Sequence, residues 1–300
     1  MSAAAPVVAG VELGGTKCIA VMARGRQILD RKQWQTGDDP DETLGAIADW
    51  LSVAAQAEPF RALGIGSFGP LRLDPAAPDY GAIVNTPKPG WSGANLIAGI
   101  ANRFDVPVGL DTDVAGAALA EGRWGAAKDC AVHVYLTIGT GIGGGIVIDG
   151  KPLHGAFHPE LGHVRVRRAK GDDFGGICPI HGDCLEGLAS GPAIAARAGV
   201  RAEMLTPDNP VWQLVARDIA ELMGSLILTL SPQRIVIGGG VGQGQPRLLA
   251  DIRNATVDFL GGYMPGQGSA EIDKLIVPPA LGGDAGVYGA IALGLAALKV

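Results

Sequence analysis

At 300 residues, 47% of them hydrophobic, the chain is long enough to bury two cores, and nothing in it is low-complexity. Its formal charge of −6 argues against nucleic acid as the main partner. No basic segment precedes an apolar stretch in MSAAAPVVAG, so the four cysteines are expected as free or metal-bound thiols in a cytoplasmic protein.

Val7 to Val11 reads as a strand that runs through Glu12-Leu13-Gly14-Gly15-Thr16-Lys17 into a second apolar run, Ile19-Ala20-Val21. The order of Gly, Thr and Lys is wrong for a P-loop, and a strand follows where that loop needs a helix. A glycine hairpin offering N–H groups and Thr16 to a phosphate fits these residues; so does an ordinary tight hairpin. Asp38-Asp39-Pro40 opens a helix through about Ala57, with Leu44, Ile47, Ala48 and Leu51 at helical spacing. Arg61 to Gly66 is a short buried strand. Gly64, Gly66 and Gly69 fit a dinucleotide pattern, but Pro70 and the prolines beyond supply no helix, which rules that reading out. The loop Gly66-Ser67-Phe68-Gly69-Pro70 is expected to lie against a small substrate instead.

Tyr80 to Trp91 is irregular and rich in Pro, Gly and Asn, as ligand-facing loops are. A helix is predicted from about Gly93 to Phe104, a strand over Val106 to Leu110, and an alanine-rich helix from Val114 to Trp124. Asp111-Thr112-Asp113 occupies the strand-to-helix junction, where α/β folds place ligands. Asp113 is a candidate general base for phosphoryl transfer to an alcohol. It could equally be a helix N-cap, although Asp111 or Thr112 could cap in its place.

From Ala131 to Arg167 the pattern is strand, glycine turn, strand, polar loop. Val132, Val134 and Leu136 alternate with His133, Tyr135 and Thr137, and Gly139-Thr140-Gly141-Ile142-Gly143 leaves room for a phosphate. The uncharged stretch Ala131 to Ile148 suits a hairpin rather than a membrane helix. Two hairpins of one design imply two related lobes with a nucleotide between them. Glu160, His163 and Glu186 are candidates to grip sugar hydroxyls; His133, His154 and His158 earn no role.

Cys178, His181 and Cys184 follow at three-residue intervals in the glycine-rich stretch Gly171 to Gly187. With His163 they suit a closed, structural tetrahedral Zn²⁺ site; an exposed loop with idle thiols is the alternative. Cys18 and Cys130, in apolar runs, read as small core residues. Pro207 to Leu230 is a long apolar helix. Arg234 to Ile237 is a strand closed by Gly238-Gly239-Gly240, and Ile272 to Val277 is the last strand. An apolar helix from Ala285 to about Leu298 packs back on the first lobe. The expected division is a small lobe, residues 1–112, and a larger one, 113–284, with the helix 285–300 returning to the first.

Together these segments resemble the ROK family of sugar kinases, and within it the bacterial fructokinases. The matching parts are Gly10 to Lys17, Gly66 to Pro70, Thr86 to Trp91, Asp111 to Val114, Ile138 to His163, and Cys178 to Glu186. The resemblance implies an α/β, two-lobe actin-like ATPase (ribonuclease H-like) fold, with ATP and Mg²⁺ in the cleft and lobe closure excluding water. It implies Asp113 as base; Gly66, Ser67, Gly69, Thr112, Glu160, His163 and Glu186 at the sugar; and His163, Cys178, His181 and Cys184 on zinc. Gly14, Gly15, Thr16, Lys17, Thr137, Gly139, Thr140 and Gly141 match the phosphate hairpins, and Gly239 and Gly240 lie where the family holds the nucleoside. Glu12, Thr112 and the Cys-x-x-His pattern depart from most of the family and resemble the fructokinase branch, which implies phosphorylation of D-fructose at its 6-hydroxyl. A mannose or glucose kinase and a non-catalytic sugar sensor are the rival readings; the winged-helix extension of the family's repressors is not expected here. A homodimer is the family expectation.

Overall fold

The computed structural model describes residues 5–263 and 268–298. Residues 1–4, part of the stretch read for a leader, and residues 299–300, assigned above to the returning helix, lie outside them. The chain forms two compact units: one comprises the residues up to Arg123, Pro152–His158 and those from Asp284 on, the other Trp124–Lys151 and Pro159–Gly283.

The first unit is built on β1 (Val7–Leu13), β2 (Lys17–Arg24), β3 (Gln27–Gln35), β4 (Leu63–Ser67) and β5 (Val108–Thr112), in the order β3-β2-β1-β4-β5. β1, β4 and β5 are parallel; β2 pairs antiparallel with β1, and β3 antiparallel with β2. Three helices interrupt the strands: α1 (Pro40–Ala57), the short α2 (Leu96–Gly99) and α3 (Asp113–Trp124). Asp39 caps α1, accepting the N–H groups of Asp41 and Glu42 at 3.0 and 3.2 Å. The helix buries Leu44, Ile47 and Leu51 in the core, each contributing about 1.5–3 kcal/mol.

Several boundaries differ from the sequence pattern. The helix expected from Gly93 to Phe104 breaks into α2 and a 3₁₀ turn, Ala101–Arg103, because Ile100 has left helical geometry at φ −120°. β5 starts after Pro107, which has no N–H to donate, and runs on through Asp111 and Thr112. Trp91 of the irregular loop is fully buried, with its indole N–H donating to Gly37 O at 2.8 Å.

The second unit contains β6 (Val132–Ile138), β7 (Ile142–Ile148), the first residue of the two-residue β8 (Lys151–Pro152), α4 (Leu185–Ala189), α5 (Gly191–Ala198), α6 (Val211–Leu230), β9 (Arg234–Gly238), α7 (Gly239–Gly244), α8 (Leu248–Leu260), α9 (Ser269–Leu275) and β10 (Ile276–Val277). Its sheet order is β10-β9-β6-β7-β8. Each unit thus has an antiparallel hairpin whose first strand pairs in parallel with a later one, itself flanked by a second parallel strand. That is the ribonuclease H-like topology, used twice. The last strand expected over Ile272 to Val277 is mostly helix: Ile272 is a buried position of α9, and only Ile276 and Val277 pair with β9. Short apolar runs do not separate the two states.

The C-terminal helix α10 (Ala285–Ala297) belongs to the first unit and lies on β1, β4 and β5. Glycines permit the approach: a Cβ on Gly64 would sit 1.9 Å from Ala290 O, and one on Gly109 2.3 Å from Leu293 O. Gly116 of α3 packs against Gly289 of α10, which keeps α3 in the first unit and moves the division from residue 112 to Arg123.

Candidate active site

In the first unit the carboxyl ends of β4 and β5 bring together the loop 66–70 and Asp111-Thr112-Asp113. Gly66 lies beside the Asp113 backbone, where a Cβ would be 3.5 Å from the Asp113 Cα. The Thr112 hydroxyl accepts the N–H of Ala115 at 3.2 Å and so caps α3. Asp113 Oδ1 accepts the N–H of Val114 at 2.8 Å. Burial pushes the Asp113 carboxyl up to about 6, partly offset by that N–H. Ser67, expected at the substrate, is fully buried, and its hydroxyl donates to Phe68 O at 2.8 Å.

Asp111 and His154 have a place here that the sequence did not reveal. Asp111 is buried, its Oδ1 accepts the N–H of Thr112 at 2.7 Å, and His154 Nε2 lies 3.0 Å from its Oδ2. His158 is buried too, its Nε2 accepting the N–H of Leu71 at 2.9 Å, beside Gly69. The only sequence signal was position: four of the five histidines fall between residues 154 and 181.

The first hairpin closes between β1 and β2, where Gly14 N–H donates to Lys17 O at 3.0 Å. Gly15, Thr16 and Lys17 are exposed, and a Cβ on Gly15 would meet nothing, so the protein itself does not demand glycine there. Glu12, at the end of β1, lies against the first turn of α10, where a Cβ on Gly286 would strike its Oε1. Burial, then the charge of Asp113, pushes Glu12 up to about 7 against the pull of Lys17 and Arg31.

In the second unit the turn between β6 and β7 is tied at both sides: Gly139 N–H donates to Gly141 O at 2.9 Å, and Gly191 N–H to Gly139 O at 2.7 Å. Glu186 Oε2 accepts the N–H of Ile142 at 2.9 Å and lies where a Gly141 Cβ would be, at 2.7 Å. Thr137 is half-buried near the end of β6 and Thr140 is exposed. Gly239, at φ +85°, turns β9 into α7; a Cβ there would sit 2.3 Å from Ile138 O. A cavity of about 820 Å³ is lined by Gly139, Thr140, Gly191, Trp212 and Gly240. Glu160 is exposed just before a 3₁₀ turn, Leu161–His163, that packs on β7: a Gly162 Cβ would strike Ile142 O.

His163, Cys178, His181 and Cys184 offer ligand atoms all within 4.8 Å of one another. His163 Nδ1 lies 3.9 Å from Cys178 Sγ and 3.6 Å from Cys184 Sγ, and His181 Nδ1 lies 3.7 Å from Cys178 Sγ. A tetrahedron with Zn–S of about 2.3 Å and Zn–N of about 2.0 Å has S–N edges of about 3.5 Å, which these three S–N distances approach. Cys18 is buried, whereas Cys130, expected in a strand core, is half-exposed in the loop before β6.

Residues 8–297 match the family model described as ROK family. The fructokinase of Zymomonas mobilis is 43% identical over 293 residues, 96% of each chain. The ROK hexokinase of Thermus thermophilus superposes with a TM-score of 0.80 at 27% identity, covering 98% of this chain and 99% of that one. A ROK glucokinase from Streptomyces griseus, solved with glucose and AMPPNP, gives a TM-score of 0.75 at 26% identity over 97% and 99%. Family model, fold and near-complete mutual coverage agree: this chain is an actin-like ATPase-fold protein and belongs to the ROK family.

Proposed function

We propose that the chain is a fructokinase, transferring the γ-phosphoryl group of ATP to the 6-hydroxyl of D-fructose. The observation that carries the reading is Asp113, whose helix is capped by its neighbour and whose carboxyl is tuned to about 6 at the end of a parallel strand. The sugar's O6 forms a bond to the γ-phosphorus as the bond from that phosphorus to the β–γ bridging oxygen breaks. The O6 proton passes to Asp113 and ADP leaves. Mg²⁺ held with the nucleotide would supply positive charge against the charge spread over the transferred group. In the turns Gly14–Lys17 and Gly139–Gly141, the N–H groups not bonded within the turn serve the phosphates, with Thr16, Thr137 and Thr140 beside them. The cavity at Gly139, Thr140 and Gly240 takes the nucleoside.

Gly66, Gly69, Glu160 and His163 are assigned to the sugar. Glu186 keeps one oxygen on Ile142 and has the other for substrate; Ser67 and Thr112 shape the pocket through the backbone. Tetrahedral spacing supports structural Zn²⁺ on His163, Cys178, His181 and Cys184. The glucokinase that binds glucose and AMPPNP supports hexose and nucleotide as ligands, and the 43% identical fructokinase supports fructose over aldoses. The family resemblance implies a cytoplasmic homodimer, which light scattering of the purified protein tests; among the described residues no helix is long and apolar enough to cross a membrane.

The test is a panel of D-fructose, D-mannose and D-glucose with Mg·ATP in a coupled ADP assay. Fructose should give the highest kcat/KM, with the phosphate on O6. Absence of ADP release with every hexose, despite sugar binding, would make the chain a sensor instead.

A further inference from the structure

We propose that His154, aimed by Asp111, is a sugar-contacting residue, donating through its second ring nitrogen to a hydroxyl of the bound hexose other than the one phosphorylated. This rests on the kinase reading above and adds a residue to its sugar site. Pro152–His158 belongs to the first unit, although its neighbours in sequence on both sides belong to the second. Two histidines fasten it. His158 takes the N–H of Leu71 just beyond β4, and His154 takes the carboxylate of Asp111 in β5. The segment therefore crosses the carboxyl edge of two neighbouring parallel strands, the edge at which open α/β sheets bind ligands. Asp113 follows Asp111 by two residues at that same edge.

The two histidines are not equivalent. His158 is buried and serves as a pin. His154 has 37% of its side chain exposed, and its contacts run to Asp111 alone: Nε2 at 3.0 Å from Oδ2 and 3.2 Å from Oδ1. Its Nδ1 has no protein partner among the described residues. Asp111 has 3% of its side chain exposed, and apart from His154 its carboxylate accepts the Thr112 N–H. A buried carboxylate bonded to one imidazole nitrogen fixes the ring's plane and favours a proton on both nitrogens, and the bond to Asp111 accordingly pushes His154 upward. Tyr80 also feels Asp111, and its hydroxyl is pushed up by burial and then by that carboxylate. The result is a half-exposed N–H donor with a fixed direction, near the base, in a place where a purely structural pin would be covered. A neutral polyol supplies the matching acceptor.

The experiment compares wild type, His154→Ala and His154→Gln by steady-state kinetics, with D-fructose and ATP varied in turn, and by calorimetric titration with D-fructose. Thermal melts accompany each. Loss of one charge-assisted contact should raise the sugar KM and Kd by about tenfold to a hundredfold in His154→Ala, leaving the KM for ATP within about twofold and the melting temperature nearly unchanged. His154→Gln, which keeps an N–H donor, should recover part of the loss. A sugar KM and Kd within about twofold of wild type overturn the proposal, as do equal rises in the sugar and ATP KM values. Wild type that binds fructose without releasing ADP defeats the kinase reading alone; the calorimetric comparison still reads the contact.

Discussion

The Thr112 hydroxyl accepts the backbone N–H of Ala115, so the residue before Asp113, not Asp113 itself, caps α3. An aspartate at a helix start is most economically explained as a cap. Here that explanation is used up one residue earlier, and the Asp113 carboxylate keeps an oxygen beyond its bond to Val114.

Asp113→Asn should therefore leave fold and sugar binding intact and lower kcat by roughly 10²–10⁴-fold or more, since asparagine is isosteric but cannot accept the proton. Sugar titration and single-turnover kinetics measure the two effects separately. Turnover near wild type would remove Asp113 from the chemistry.

The same group sets a pH dependence of activity and an opposite one of stability. Asp113 ionises near 6 in the folded chain, against 3.8 for an ordinary aspartate, because burial disfavours its charge. The acid limb of the wild-type kcat/KM profile should fall near 6. Across the window from about 4 to about 6 the folded state binds more protons than the unfolded one, so this group's contribution to stability declines as pH rises. Above that window Asp113→Asn should melt higher than wild type, by an amount on the order of 1–2 kcal/mol given partial exposure of the side chain. Melts at pH 4 and pH 7.5 check the sign: the gain should be present at the higher pH and nearly gone at the lower.

Purified protein should contain about one zinc per chain, and Cys184→Ser should lower both the zinc content and the melting temperature, because four protein ligands make the ion part of the fold. Elemental analysis with melts before and after chelation is the check. An intact fold with no zinc would leave the four side chains as an unmetallated cluster.

Gly239→Ala places a methyl 2.3 Å from Ile138 O at φ +85°, a backbone region costly for alanine. The strand-to-helix turn must then shift, at a cost of roughly 1–3 kcal/mol. If the adjoining cavity holds the nucleoside, the KM for ATP should rise several-fold more than the KM for sugar. Equal changes in both would argue for a general loss of fold.

Arg197 joins four parts of the second unit: its guanidinium meets Asp172 at 3.0 Å and Asp218 at 2.8 Å, its Nε donates to Leu188 O, and it stacks on Phe174. Burial still pushes Asp218 up to about 6. Removing the cation strands the buried carboxylate of Asp218 and leaves Asp172 with Arg168 alone, so Arg197→Ala should lose about 3–5 kcal/mol in urea unfolding, and Asp218→Asn much less. Equal losses would contradict this account.

The legible features were those whose signal lies within a few residues. Glycine turns at Gly14–Gly15 and Gly139–Gly141, the Cys178/His181/Cys184 spacing and the junction at Asp113 are local chemistry, and each kind of residue there has few other reasons to be so spaced. The Ile272 to Leu275 run failed for the complementary reason: four residues carry too short a period to tell helix from strand, and packing made the choice.

Sequence alone thus determined the family and the repeated hairpin design, because these are written in residue type and short spacing. Only the tertiary structure decided what each carboxylate and imidazole faces: His154 meets Asp111 across 43 residues, Glu186 meets Ile142 across 44, and His158 meets Leu71 across 87. Such pairings depend on which strands become neighbours in a sheet and where the chain between them is fastened. No local periodicity encodes either.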